Sequence, residues 1–499
     1  MQRLRRLAEH DRVAIEDDRG ATSFQELRER ALRARDVLCA GAPSIAGRRV
    51  ILLMSPGASW LEAFLGILMG GGVALPLSPL YPEPELVWFA ANAEADTLVI
   101  GEDLEAGPGS ALHEGRRVIR ASELAGGNPV EVKPGPRGGD VALLLYTSGT
   151  TGKPKGAMIT HENLAIQADL LHDAWGWSPT DTLLHALPLH HLHGLGISLL
   201  TSLLAGGTTR MLPRFDAARV WEELGRGCTA WMGVPTMYQK LFEAFDAADE
   251  ATRARWSAAA RGLRLATSGS AALPVTLAER WREITGAIPL ERFGMTEIGV
   301  GMSNPLAPEE RRAGHVGRPL PTVELRLVDE DGVDTEAGPG EAWVRGPSVF
   351  AGYWQREEAT RAAFTEGWFR TGDVATRSPE GVLRLLGRTS VDILKSGGYK
   401  LSALEIEEAL REHRSIAEVC VIGVPDVTWG DRVVAVVVPR EGGAADCNVD
   451  ALRAWAKERL APYKVPRQVI VVDALPRNAV GKVVKPDLIR AVAAGTLGR

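Results

Sequence analysis

The chain has 499 residues, with 57 basic and 63 acidic side chains and a net charge of −6. That length suggests about three domain-sized units, and the charge leaves no basic footprint for a dedicated nucleic-acid binder. With 45% hydrophobic and 24% charged residues, the mix is that of an ordinary globular protein. The four cysteines, Cys39, Cys228, Cys420 and Cys447, lie far apart and form no CxxC pair. Neither a disulfide framework nor a zinc site is indicated, so the cytoplasm is the simplest compartment. The segment Met1 to Arg19 mixes charges of both signs, unlike a signal peptide, and is too acidic for a good transit peptide.

The longest apolar stretch, Ala63 to Leu77, is broken by Gly66, Gly70, Gly71 and Gly72 and stopped by Pro76. It is too short to span a bilayer. Leu61 to Met69 within it has helical spacing, and Val73 to Leu77 reads as a short buried strand. Val141 to Tyr146 is another strand, with a Gly/Thr/Lys loop directly after it; Leu184 to Pro188 and Trp231 to Val234 read as further strand ends. Such alternation predicts α/β layers with largely parallel sheets. From Val316 the pattern changes. Val323 to Asp329, Gly340 to Arg345 and Val382 to Leu386 alternate polar and apolar residues, which predicts a small antiparallel sheet or β-barrel subdomain.

After Arg388 a second unit begins. Leu404 to His413 has the spacing of an amphipathic helix, Val419 to Val424 and Val433 to Pro439 of strands, Ala451 to Leu460 of a helix and Val469 to Val472 of a last strand. The expectation is a large domain over residues 1–388 and a small, mobile α+β domain over 389–499. The junction is short, and a short junction is a candidate hinge.

The most informative segment is YTSGTTGKPKG, Tyr146 to Gly156. Following a strand, its backbone N–H groups open onto a cleft. Glycines permit close approach of phosphate oxygens, hydroxyls donate, and Lys153 or Lys155 neutralises charge. The P-loop pattern is not met, because Gly149 and Gly152 are too close together and Pro154 follows the lysine. An ordinary surface turn is the bland alternative.

This segment resembles the phosphate loop of the adenylate-forming superfamily, which includes acyl-CoA synthetases, luciferases and adenylation domains. Four further segments match that superfamily in order: FGMTE (293–297), TGD (371–373), GRTSVDILKSGGYK (387–400) and PRNAVGK (476–482). The resemblance implies ATP, Mg²⁺ and coenzyme A as reactants or cofactors. It implies a nucleotide site built from Thr147, Ser148, Gly149, Thr150, Thr151, Gly152, Lys153, Gly269, Ser270, Ala271, Glu291, Arg292, Phe293, Gly294, Met295, Thr296, Asp373 and Arg388. Glu297 and Thr151 would hold the metal, which prefers one or two carboxylates plus phosphate oxygens. Lys482, Thr296 and Glu297 would be catalytic, with the Lys482 ammonium bridging the attacking carboxylate and the charge growing at the α-phosphate.

Taken alone, each residue has a plainer reading. Asp373 is a turn aspartate, Arg388 a surface ion pair, Phe293 a core ring and Lys482 a solvated lysine. The resemblance also implies that the small domain rotates between two half-reactions, bringing Ser396, Gly397, Gly398, Tyr399 and Lys400 to the thiol. The pivot is expected within Thr389, Ser390 and Val391, where this chain lacks the usual Asp or Lys.

Four stretches, LPLHHLHG (187–194), MGVPTMY (232–238), RLATSGSAALP (264–274) and LERFGMTEIGVGMSNP (290–305), resemble the malonyl-CoA synthetase branch. A small polar acid is therefore expected, held by His191, His193, Arg292 and Ser303 over a floor kept small by Gly299. An arginine fork holds a second carboxylate in bidentate fashion. The plain alternative pairs Arg292 with a protein acid and leaves the histidines as a polar core network. Other functions consistent with the motifs are a monocarboxylate-CoA ligase, an enzyme loading a carrier protein in trans, and a non-catalytic nucleotide-binding homologue.

Overall fold

The computed structural model describes residues 11–104, 110–130, 135–147, 154–477 and 483–497. Two mixed sheets make up most of the large domain. In one, seven strands run in the order Gly352–Tyr353, Lys155–Thr160, Val141–Thr147, Val73–Pro76, Arg49–Leu53, Thr97–Ile100 and Arg117–Arg120. Its centre is parallel, and only the pairings made by Lys155–Thr160 are antiparallel. The expected helix and strand around Gly70 are Ala58–Met69 and Val73–Pro76. The strand Val141–Thr147 points its C-terminal end at the phosphate-loop segment.

The other sheet has nine strands, in the order Arg318–Pro319, Gly299–Ser303, Leu290–Met295, Leu265–Ser268, Ala230–Gly233, Thr182–His185, Thr208–Met211, Val13–Asp17 and Gly20–Ser23. The six from Leu290–Met295 to Val13–Asp17 are parallel. Strands buried on both faces read as continuous apolar runs, as Ala230–Gly233 does, whereas Leu265–Ser268, equally buried, carries Thr267 and Ser268 inside. The chain then folds back antiparallel from Leu290–Met295 into Gly299–Ser303. This hairpin, enclosing the FGMTE segment, shapes one wall of the site described below.

Five strands form the antiparallel unit at the end of the large domain. Glu324–Val328, Gly340–Arg345 and Leu383–Arg388 fall where alternation predicted strands. The central strand, Trp368–Arg377, was visible in the sequence only through its TGD motif, because Gly372 and Asp373 break the strand pattern.

The small domain has a sheet in which Gly430–Pro439 pairs with Ile416–Asp426, Gln468–Val471 and the hairpin Ile393–Ser396/Tyr399–Ser402. Alternate residues of its two long strands feed two separate cores. Val419, Val421, Val433, Ala435 and Val437 pack under the helices Ala403–Arg411 and Val449–Lys457. Cys420, Ile422, Val424, Val434 and Val436 pack with Leu488 and Val492 of the helix Lys485–Ala493. The hairpin and this last helix add to the α-β-β-α-β order expected from the sequence. Among the described residues, no helix is long and apolar enough to cross a membrane.

Candidate active site

Glu297 is buried at the end of the FGMTE segment. Its carboxylate accepts a hydrogen bond from the Tyr353 hydroxyl (2.9 Å) and a long one from Thr147 Oγ1 (3.5 Å). Burial raises its pKa above the usual carboxylate range, and the Tyr353 hydroxyl and the Arg388 charge oppose that rise. A carboxylate so placed fits a divalent cation, which would neutralise a charge the interior disfavours. Lys155 lies over the Tyr353 ring, 5.1 Å from its centroid. Thr147 and Lys155 are paired across the strands that flank the phosphate loop. The loop residues Ser148, Gly149, Thr150, Thr151, Gly152 and Lys153 lie outside the described residues, and so does Lys482.

Asp373 and Arg388 are register partners on adjacent antiparallel strands, and their side chains form an ion pair at 3.5 Å. Thr371 donates to the Ala342 carbonyl (2.7 Å) and receives the Asp373 N–H (3.1 Å), which fixes the aspartate. The turn beyond Arg388 is held from both ends. The Thr389 N–H and hydroxyl donate to the Gly372 carbonyl in the large domain. The Asp392 carboxylate accepts the Arg388 N–H at 3.0 Å on one side and Lys485 Nζ of the small domain at 2.6 Å on the other, and Lys485 in turn donates to Glu407 at 2.8 Å. Burial alone would lower the Lys485 pKa, but the Glu407 and Asp392 carboxylates outweigh it and hold the ammonium charged. Ser390 and Val391 are thus left between two anchored residues.

Gly397 and Gly398 form a two-residue hairpin turn, both with positive φ (58° and 81°), between paired Ser396 and Tyr399. Tyr399 stacks on Tyr463 with centroids 4.2 Å apart. Lys400 and Lys395 both reach Glu330 of the large domain, at 2.8 and 3.1 Å.

The residues expected to hold the acid lie on and around the other sheet. Arg292 is 4% exposed, and its Nε and Nη2 have no hydrogen-bond partner among the described residues. Its guanidinium lies flat over Gly269, where a Cβ would come within 2.3 Å of Cζ. Burial lowers the Arg292 pKa to about 10, which still leaves it charged at neutral pH. Ser270, next in the chain, adopts a φ of +69°, rare for a residue with a side chain. That turn brings its Oγ to His193 Nδ1 at 3.1 Å. His193 opens a π-helical segment, His193–Leu200, a geometry frequent at functional sites. The His191 ring packs on His190, centroids 4.3 Å apart, and burial lowers the His190 pKa to about 4.

Three expected site residues have other work here. The Ser303 hydroxyl accepts from Trp175 Nε1 (3.0 Å) and donates to the Asn304 carbonyl (2.8 Å), so it braces the strand. Phe293 is buried in the main hydrophobic core. Glu291, on the strand face opposite Arg292, accepts the Gly314 N–H (2.8 Å). Burial raises the Glu291 pKa to about 8, and Glu408 of the small domain adds to the rise. Glu408 itself accepts the Val275 N–H at the start of a large-domain helix (2.7 Å).

Glu291 has a consequence for stability. Between the ordinary carboxylate pKa of 4.5 and about 8, the native state keeps a proton that the unfolded chain has lost. Stability therefore falls as pH rises through that window. Glu291→Gln cannot ionise, so its melting temperature should fall less than the parent's between pH 5.5 and 8.5. The expected differential is on the order of 1–3 kcal/mol. Parallel melting curves for the two proteins across that range would contradict the burial of an ionisable Glu291.

Two side chains here carried no signal in the sequence. Thr267 shares a sheet face with Leu290 and Arg292, and its buried Oγ1 has no partner among the described residues. Gln167, from the helix His161–Trp175, donates nothing from its buried Nε2. A separate surface cleft of about 230 Å³ is lined by Glu16, Asp18, Arg210, Arg219 and Glu223. Its charges are paired with one another, and it offers no free group for chemistry.

A sequence profile described as AMP-binding enzyme matches residues 4–354, and its C-terminal-domain counterpart matches 405–482. A mitochondrial malonate–CoA ligase of Mus musculus is 41% identical, over 98% of this chain and 90% of its own. The ATP-bound structure of MatB from Rhodopseudomonas palustris superposes with a TM-score of 0.90 at 34% identity, covering 99% of both chains. A malonyl-CoA ligase ternary product complex, holding methylmalonyl-CoA and AMP, is 39% identical, over 94% of this chain and 97% of its own, and superposes with a TM-score of 0.69. The chain belongs to the AMP-binding enzyme family.

Proposed function

We propose that this enzyme activates malonate or methylmalonate with ATP through an acyl-adenylate, then transfers the acyl group to coenzyme A, releasing AMP and pyrophosphate. The observation that carries the reading is the Arg292 guanidinium, buried over Gly269 with no partner for its Nε and Nη2 among the described residues. A buried cation is costly unless an anion joins it, and a diacid retains one carboxylate after the other has been adenylated. A fatty-acid enzyme has no use for such a group. The relatives named malonate–CoA ligase support the same substrate.

In this reading one carboxylate attacks the α-phosphate in line and pyrophosphate leaves. Lys482 and Thr296 steady the developing charge, and Asp373 and Arg388 hold the ribose end. Magnesium, when bound, would supply charge neutralisation at the triphosphate, with Glu297 and Thr151 as its protein ligands. The small domain then turns about Thr389, Ser390 and Val391 to present the Gly397–Gly398 hairpin to the thiol. The chain superposes better on the ATP-bound relative than on the product complex, although it is more identical to the latter. That order is consistent with a domain arrangement of the nucleotide-bound kind. Four buried, unbridged cysteines support a reducing compartment, the cytoplasm.

The test is AMP and pyrophosphate release with Mg-ATP and coenzyme A across malonate, methylmalonate, succinate, acetate, propionate, octanoate and benzoate. Preference for malonate or methylmalonate is expected. Turnover of monocarboxylates alone would keep the adenylate chemistry and sink the Arg292 clamp. Turnover only with an added carrier protein would replace coenzyme A as the acceptor.

A further inference from the structure

Gln167 is 3% exposed and sits on the helix His161–Trp175. Its Oε1 accepts the Val300 N–H at 2.8 Å. Because a backbone N–H can only donate, the amide cannot be flipped, and Nε2 must be the group that points elsewhere. That Nε2 is buried and has no acceptor among the described residues. An unsatisfied buried amide is destabilising, so the fold retains it at a penalty.

Its surroundings are those of the acid pocket. Gly299 has a φ of +69°, and a Cβ there would fall 1.7 Å from Gln167 Oε1, so the glycine makes room for this side chain. The same helix meets the hairpin again at Trp175, which bonds Ser303. Ser303 and Arg292 are register partners, and register partners project to one face of a sheet. Arg292 and Gln167 therefore lie on the helix-covered side of the hairpin. The helix also borders the π-helical segment that begins with His193, through Leu164 against Gly196. Arg292 and Gln167 are thus buried donors on the same side of the hairpin, and Arg292 Nε and Nη2 and Gln167 Nε2 have no acceptor among the described residues. A carboxylate supplies acceptors in more than one direction, which suits both.

We propose that Gln167 is a specificity-determining residue of the acid pocket, donating its side-chain amide to the distal carboxylate of a bound dicarboxylic acid alongside Arg292. The proposal rests on the dicarboxylate reading above and adds a second recognition element to it. It explains why a polar side chain and a glycine meet at a floor that apolar packing would otherwise fill.

The test is the ratio of kcat/KM for malonate to that for propionate, with KM for ATP and the melting temperature alongside. Gln167→Glu keeps an oxygen for the Val300 N–H but replaces the donor with a carboxylate that repels a diacid and competes for Arg292. The ratio should fall roughly 10- to 100-fold, while KM for ATP stays within about twofold. Gln167→Met, of similar length, removes the donor without adding charge and should lower the ratio less. An unchanged ratio in a folded Gln167→Glu enzyme overturns the assignment. Should that variant not fold, an unchanged ratio in Gln167→Met overturns it equally. If the parent enzyme itself prefers propionate, the dicarboxylate reading has failed. If it prefers malonate and the variants do too, only the role of Gln167 has.

Discussion

Lys482→Ala is expected to slow acyl-adenylate formation by about 10²–10³-fold, the usual cost of removing one group aimed at a developing charge. Thioester formation from supplied acyl-adenylate should be largely intact. The physical reason is that the ammonium is needed only while charge grows on the α-phosphate. An ion contact that is weak in water strengthens in a closed, dry cleft. Three residues on in the chain, Lys485 is clamped between Asp392 and Glu407, so the start of the last helix is tied to the turn at the domain junction. Movement of the small domain would carry Lys482 with it. Separate assays of malonate-dependent pyrophosphate exchange and of coenzyme A acylation by malonyl-adenylate decide the matter. Equal losses in both would contradict an alternating small domain and point to a general structural defect.

Arg292→Ala should reduce kcat/KM for malonate by about 10²–10³-fold, as expected when one partner of a buried charge pair is deleted. Propionate turnover should change far less, because a monocarboxylate brings no second anion. The same substitution should leave the melting temperature of the unliganded enzyme unchanged or raise it. The unliganded protein carries the guanidinium buried, with no partner for Nε and Nη2 among the described residues, and removing an uncompensated buried charge relieves a cost. Loss of malonate use with unaltered or increased stability would mark Arg292 as a group held for its ligand. Gly269→Ala should resemble it, since a methyl there would meet the guanidinium at 2.3 Å. If ATP binding collapses while malonate kinetics survive, Arg292 serves the nucleotide or the scaffold instead.

Much of the nucleotide side was legible because its residues come in short contiguous motifs. FGMTE and TGD place Glu297 and Asp373 by neighbours in the chain, and local turns position them. The acid side was only partly legible. Arg292 is legible as a candidate clamp from its place beside FGMTE, and its Nε and Nη2 have no partner among the described residues. Ser303 was expected in the pocket, yet its hydroxyl is taken by Trp175, 128 residues away in sequence. Glu291 was grouped with the nucleotide, yet its carboxyl faces Gly314 and Glu408, since successive residues of a strand point to opposite faces. Gln167 and Thr267 are not legible, because a lone polar residue on an amphipathic helix or a buried strand carries no pattern.

The sequence by itself determined the α/β order of the large domain, the change to antiparallel strands after Val316 and the start of a second unit past Arg388. Those features follow from periodicity and glycine placement, which are local properties of the chain. Only the tertiary structure decided which side chains face each other. The Asp373–Arg388 register, the Glu407–Lys485–Asp392 cluster and the Gln167–Val300 bond join residues 15 to 133 positions apart. Such contacts depend on strand register and helix docking, which are set by the packing of the whole core. No window of neighbouring residues contains that information.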